Sequence, residues 1–151
     1  MSNPISTHSM SQVINYLRDE VHENAVASGW HKIDDTVKEV LLLARKPELV
    51  TYFEKIREAS MVALEHSELS ESLEGTRKNL MDDHLKDRPM VEVEIADAII
   101  RLLDRAGKYN YDIGGAIIEK IAYNKQRADH KPEAREGTNG KKFWYYSMIH
   151  G

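Results

Sequence analysis

The chain has 151 residues, of which 41% are hydrophobic and 30% are charged, and its formal net charge is −4. This composition is typical of one soluble folded domain, and its acidic balance argues against binding to a nucleic-acid polymer. The sequence has no cysteine, which excludes disulfides, thiolate metal sites and cysteine nucleophiles. No apolar run could cross a membrane and no secretory signal is recognisable, so we expect a cytoplasmic protein with no membrane partner.

Apolar residues recur at helical spacing after a polar segment at residues 1–10, which we expect to be a flexible tail. The first helix is predicted to begin at Ser11. A second, short helix is predicted with Asp34 or Asp35 as its N-cap. Trp30 lies in the connection between these helices, where it either covers the core or stacks on a nucleobase.

A long third helix is predicted from Pro47 to about Gly75, and a fourth from Pro89 to Gly107. The polar segment at residues 76–88 is predicted to connect them. The apolar side chains of these two helices are expected to face the core, among them Leu64, Leu69, Leu73, Ile95, Ile99 and Leu102.

Asp112 is predicted to cap a fifth helix. Residues 129–151, which include a loop rich in glycine and asparagine, are predicted to form an extended C-terminal tail. No strand-like alternation of useful length and no solenoid period is present in the sequence. The predicted fold is therefore all-α, a single antiparallel helical bundle over residues 11–128.

Two pairs of carboxylates interrupt or border the apolar faces of the third and fourth helices. Glu65 and Glu68 are three residues apart, as are Glu94 and Asp97, so each pair projects from one side of its helix. Carboxylates turned toward a core are costly unless a cation meets them, and oxygen-only ligands suit Mg²⁺, Mn²⁺ or Ca²⁺. These four residues are candidate metal ligands, and solvated helix faces are the alternative. Glu71 is either a supporting group or base, or a solvent-facing residue.

Three polar side chains share one face of the fifth helix by their spacing, namely Lys120, Asn124 and Arg127. An ammonium group, an amide and a guanidinium group can together hold phosphate oxygens. The alternative is a solvated face with ion pairs. Beside a carboxylate metal site, these donors favour a protein that handles a polyphosphate.

The order of these motifs resembles that of the MazG-like all-α nucleoside triphosphate pyrophosphohydrolases. That family carries an ExxE helix, then an ExxD helix, then a helix with Lys-x3-Asn and a nearby basic residue, and the match spans about Ile56 to Arg127. The resemblance implies a Mg²⁺-dependent enzyme that cuts a nucleoside triphosphate between the α and β phosphorus atoms. The products would be a nucleoside monophosphate and pyrophosphate.

The same resemblance implies the roles of the site residues and the assembly. The implied catalytic metal ligands are Glu65, Glu68, Glu94 and Asp97, and the implied phosphate contacts are Lys120, Asn124 and Arg127. It also implies a homodimer or homotetramer, since the family builds its bundle from paired subunits. One departure is that the family's double-Glu opening is Leu64-Glu65 here, so one acidic position is missing.

Two other functions are compatible with an acidic helical bundle. A ferritin-like di-iron protein uses Glu-x-x-His pairs, and neither acidic pair here contains that histidine. A non-catalytic helical module would bind nucleotides or a partner without cutting a phosphoanhydride bond.

Overall fold

The computed structural model describes residues 6–131, which form five α-helices and one short 3₁₀-helix. The elements in chain order are α1 (Thr7–Ala27), α2 (Lys32–Leu43), α3 (Pro47–Lys78), α4 (Met90–Lys108), α5 (Ile113–Gln126) and the 3₁₀-helix Ala128–His130. The predicted all-α helical bundle is confirmed. Residues 1–5 of the expected N-terminal tail and 132–151 of the expected C-terminal tail lie outside the described residues.

The pairing of α3 with α4 is the largest helix–helix interface of the fold. The two helices run antiparallel, with α1 packed on α4 and α5, and α2 packed on α3. The connection between α3 and α4 is a structured turn rather than a loose segment. Asn79 ends α3 in the left-handed conformation, with φ of 52°. The turn therefore sets how the acidic residues of α3 stand opposite those of α4.

Asp82 organises this turn from a buried position. Its carboxylate accepts backbone N–H bonds from Leu85 at 2.5 Å and from His84 at 2.9 Å. These hydrogen bonds hold the pKa of Asp82 below its usual range, although its burial acts in the opposite direction. The turn therefore depends on the ionised carboxylate.

The helix ends differ from the predicted ones at several positions. α1 begins at Thr7 because the Ser6 side chain accepts a hydrogen bond from the Ser9 backbone at 3.1 Å, so part of the expected tail is helical. α3 continues past Gly75 to Lys78. The predicted N-cap of α5 is confirmed, since Asp112 accepts a hydrogen bond from the Gly115 backbone at 2.9 Å.

The predicted N-cap of α2 is wrong. α2 begins at Lys32, and Asp34 lies inside its first turn. The Asp34 side chain instead binds Arg57 at 2.7 Å and Lys108 at 2.6 Å, which ties α2 to α3 and α4. These two cations offer a buried carboxylate stronger partners than backbone amides do.

The buried face of α3 is not the leucine face that the sequence indicated. Its buried residues recur every three or four positions and include both acids of the first pair: Met61, Glu65, Glu68, Ser72 and Gly75. Six of the apolar residues expected in the core of α3 and α4 are exposed in the single chain: Leu64, Leu69, Leu73, Ile95, Ile99 and Leu102. The buried hydrophobic residues in the described part of the chain are Met61, Ala98, Leu103 and Ala106. One chain therefore has a small apolar core and a large apolar surface.

Candidate functional site

Three of the four predicted metal ligands converge where α3 and α4 pack together. One carboxylate oxygen from each of Glu68, Glu94 and Asp97 lies within 4.8 Å of the others. Glu68 and Glu94 are each 7% exposed, and Asp97 is more exposed. The antiparallel pairing brings together acids that lie about 26 residues apart in sequence.

The electrostatics of this acidic cluster favour a cation. Burial raises the pKa of Glu94, and the negative charges of Glu71, Glu68 and Asp97 raise it further. Among the ion pairs of residues 6–131, none neutralises Glu94 or Asp97. A set of oxygen donors in which two carboxylates lack such an ion pair is suited to a hard divalent cation such as Mg²⁺.

Glu65 is not a member of this cluster. Arg105 binds it through two parallel hydrogen bonds, from Nε to Oε1 at 2.5 Å and from Nη2 to Oε2 at 3.0 Å. The hydrogen bond to Glu65 also raises the pKa of Arg105, so the guanidinium group stays charged. Both oxygens of this buried carboxylate are therefore occupied by a guanidinium group of the same chain.

Arg101 forms the corresponding pair one helical turn away, with its Nε 2.5 Å from Glu68 Oε1. The sequence reasoning missed both arginines. Their signal was present, because Asp97, Arg101 and Arg105 recur every four residues along one side of α4. In an antiparallel pair this side meets the Glu65–Glu68 side of α3.

A cavity of about 420 Å³ lies beside the acidic cluster. Asp97 and Arg101 line one part of it, and Trp30, Asn24 and Met61 line others. Trp30 is 70% exposed, so it is not a buried cover of the core. Its indole instead offers an accessible aromatic surface to a ligand in the cavity.

The three predicted phosphate-binding residues lie on or next to α5, which packs against α1. Lys120 Nζ is 4.8 Å from the centroid of the Tyr123 ring, and Arg127 Cζ is 5.9 Å from the same centroid. The Oδ1 atom of Asn124 is buried without a hydrogen-bond partner. Lys120, Asn124 and Arg127 do not line the cavity beside the acidic cluster. Their phosphate role stays a prediction.

A second polar cluster was not predicted from the sequence. His22, His31 and Asp104 come from three separate elements and meet next to the same cavity. His22 Nδ1 is 2.8 Å and His31 Nε2 is 2.9 Å from Asp104 Oδ1. No local motif encodes such a cluster, because helix packing assembles it.

Comparisons of the chain with protein-family models, with curated proteins and with solved structures gave no match. The MazG-like resemblance therefore depends on the order and spacing of the motifs in this sequence. Within the described residues, no helix combines the length and apolar character needed to span a membrane.

Proposed function

We propose that the protein is a Mg²⁺-dependent nucleoside triphosphate pyrophosphohydrolase that releases a nucleoside monophosphate and pyrophosphate. The observation that carries this proposal is the convergence of Glu68, Glu94 and Asp97 beside a ligand-sized cavity. The cavity volume falls within the range of small-molecule sites. Asp97 belongs to the acidic cluster and also lines the cavity, so a nucleotide in the cavity would place its phosphate chain next to the carboxylates.

The donor set fits Mg²⁺, with Mn²⁺ as a substitute, because all three residues supply carboxylate oxygens and Glu94 has no cationic partner among the described residues. When bound, the cation would neutralise phosphate charge and increase the acidity of a water molecule. Glu68, Glu94 and Asp97 would hold it. Glu65 would act as a positioning residue through its pair with Arg105.

The remaining residues would bind and orient the nucleotide. Arg101 lies between the acidic cluster and the cavity, where its guanidinium group can donate to phosphate oxygens. Trp30 would stack on the base. Glu71 is close enough to influence the pKa of Glu94, and it is our candidate for accepting the proton of the attacking water. Lys120, Asn124 and Arg127 lie outside this cavity, and only the family resemblance assigns them further phosphate contacts.

We also propose that the enzyme is a homodimer or homotetramer. Ile95, Ile99 and Leu102 follow one side of α4 at helical spacing and are 46%, 47% and 44% exposed. A continuous apolar stripe of this kind is stabilised when a second subunit covers it. A cytoplasmic location follows from the proposed nucleoside triphosphate substrate.

A second candidate function is nucleotide binding without hydrolysis. It is favoured by the pair between Arg101 and Glu68, which already supplies one positive charge to the acidic cluster. Such a protein would bind a nucleotide in the cavity and would not consume it.

Turnover of each ribo- and deoxyribonucleoside triphosphate with Mg²⁺ separates the two functions. The hydrolase requires Mg²⁺-dependent loss of substrate that disappears in Asp97→Asn and persists in Glu92→Gln, an exposed acid on the same helix. Nucleotide binding without turnover in the wild-type protein would contradict the enzyme and favour the binding module.

A further inference from the structure

The second polar cluster joins α1, the start of α2 and α4. His22 Nδ1 lies 2.8 Å from Asp104 Oδ1, and His31 Nε2 lies 2.9 and 3.1 Å from the two Asp104 oxygens. His31 is only 5% exposed. Gly107 allows this approach, because a Cβ atom there would overlap the His22 side chain. Close packing of α1 on α4 thus holds two imidazoles against one carboxylate.

These contacts do not satisfy the hydrogen-bonding capacity of both His31 ring nitrogens in either neutral tautomer. If Nε2 carries the proton and donates to Asp104, Nδ1 is a buried acceptor with no hydrogen-bond partner. If Nδ1 carries the proton, it points toward the Asp34 carboxylate 3.9 Å away, and Nε2 then turns a lone pair toward Asp104. A divalent cation held jointly by Nε2 and Asp104 would resolve both problems.

Asp34 lies on the side of His31 where it supports the tautomer with the proton on Nδ1. Arg57 at 2.7 Å and Lys108 at 2.6 Å bind its carboxylate and hold it in place. A small movement from the present 3.9 Å would let this carboxylate accept a hydrogen bond from His31 Nδ1–H. Histidines that bind metals usually donate their other N–H to such a carboxylate, which fixes the tautomer.

We propose that His22 Nδ1, His31 Nε2 and Asp104 bind one divalent transition-metal cation of the Zn²⁺ class. Imidazole ligands favour Zn²⁺, Co²⁺ or Ni²⁺ over Mg²⁺, which distinguishes this site from the oxygen-only acidic cluster. Three protein ligands leave a fourth position open. His31 and Asp104 both line the cavity, so the open position faces it and takes water or a polar ligand group. This site does not depend on the proposed hydrolase.

Titration of the metal-free full-length protein with Co²⁺ tests the proposal, with visible absorption reporting tetrahedral coordination and Zn²⁺ added afterwards as the competitor. We expect one equivalent of Co²⁺, displaced by Zn²⁺. His22→Gln should weaken binding more than about tenfold, because it removes a ligand at a quarter-exposed position. His66→Gln removes an exposed imidazole, and Glu94→Gln alters the acidic cluster; both should leave Co²⁺ binding unchanged.

Asp34→Asn provides a second variant that keeps all three ligands, and it should weaken Co²⁺ binding by about 10- to 100-fold. Circular dichroism establishes that each variant is folded. Binding of less than one equivalent by the wild-type protein would overturn the proposal and leave a hydrogen-bonded His-Asp-His cluster. Equal Co²⁺ affinity in the wild-type and His22→Gln proteins would overturn it as well. Loss of Co²⁺ binding in Glu94→Gln alone would assign the ion to the acidic cluster and also contradict the proposal.

Discussion

Arg101 donates its Nε–H to Glu68 at 2.5 Å, so one carboxylate of the acidic cluster is already paired with a cation of the same chain. The Glu68 side chain is 9% exposed, while the Arg101 side chain is 38% exposed. The carboxylate is therefore fixed by the core and the guanidinium group has room to move. A bound cation would have to share Glu68 with Arg101 or displace it.

Arg101→Gln should tighten Mg²⁺ binding in the absence of nucleotide. Removing the guanidinium removes a competing positive charge, and two charges about 4 Å apart in water interact by about 1 kcal/mol, or about fivefold in affinity. Isothermal titration with MgCl₂ measures the change. Arg88→Gln breaks an exposed ion pair next to α4 and serves as the matched control. Unchanged or weaker Mg²⁺ binding in Arg101→Gln would show that Arg101 does not compete at the cluster.

Glu65→Gln should destabilise the fold by about 3 kcal/mol, because it leaves Arg105 partly buried without its carboxylate. Urea denaturation measures this loss, and Glu92→Gln at an exposed pair should cost less than about 0.5 kcal/mol. Stabilisation by Mg²⁺ should persist in Glu65→Gln. Normal stability combined with a lost Mg²⁺ response would instead make Glu65 a metal ligand.

Stabilisation by Mg²⁺ should weaken as the pH falls toward the raised pKa of Glu94, since the metal requires the ionised carboxylate. At pH values between the ordinary and the raised pKa of Glu94, the folded state binds more protons than the unfolded state. The Glu94 carboxylate therefore lowers the stability of the metal-free protein as the pH rises through that range. Near neutral pH, Mg²⁺ at about ten times its Kd should add about 1.4 kcal/mol. Thermal unfolding across a pH series measures both effects.

Glu94→Gln provides the control for this pH series. The neutral amide should stabilise the metal-free protein near neutral pH and abolish the response to Mg²⁺. A Mg²⁺ response that is independent of pH, or that survives in Glu94→Gln, would remove Glu94 from the metal site.

Ile99→Glu should dissociate the oligomer without unfolding the chain, because Ile99 is exposed in the single subunit. Light scattering after size exclusion should give two or four times the 17.3 kDa chain mass for the wild-type protein and a shift toward 17.3 kDa for the variant. Gln12→Glu adds the same charge at an exposed polar position of α1 and should keep the wild-type mass. A wild-type mass of 17.3 kDa at all concentrations would contradict the proposed assembly.

Lys120→Gln should lower kcat/KM by about 100-fold, the usual effect of removing one donor from a developing phosphate charge. Thermal stabilisation by Mg²⁺ should be unchanged, because Lys120 lies outside the acidic cluster. Lys125→Gln on the same helix is the control. Equal kcat/KM values for the two variants would mean that Lys120 has no role in phosphate binding.

The sequence predicted the helices and the acidic pairs because both depend on spacing along the chain. Periodicity located α3 and α4 to within a few residues, and a capping residue located the start of α5 at Asp112. The three-residue spacing of Glu94 and Asp97 placed them on one side of α4. These features require no knowledge of which helices are neighbours.

The partners of the buried groups could not be predicted in this way. Glu65 binds Arg105 and Asp34 binds Lys108 across gaps of 40 and 74 residues, and such pairs depend on helix register and packing. The same limit applies to His31 and Asp104, which are 73 residues apart. Apolar spacing also could not tell a core stripe from an exposed apolar stripe, so the sequence predicts a core position for Ile99, which is 47% exposed.

Phosphorus NMR of the products formed from a nucleoside triphosphate and Mg²⁺ tests the proposed hydrolase most directly. The account predicts equimolar nucleoside monophosphate and pyrophosphate, with no orthophosphate, and no product from Glu68→Gln or Asp97→Asn proteins that keep their helical circular dichroism. Nucleoside diphosphate with orthophosphate, or unchanged substrate across the full nucleotide panel with Mg²⁺ and with Mn²⁺, would contradict it.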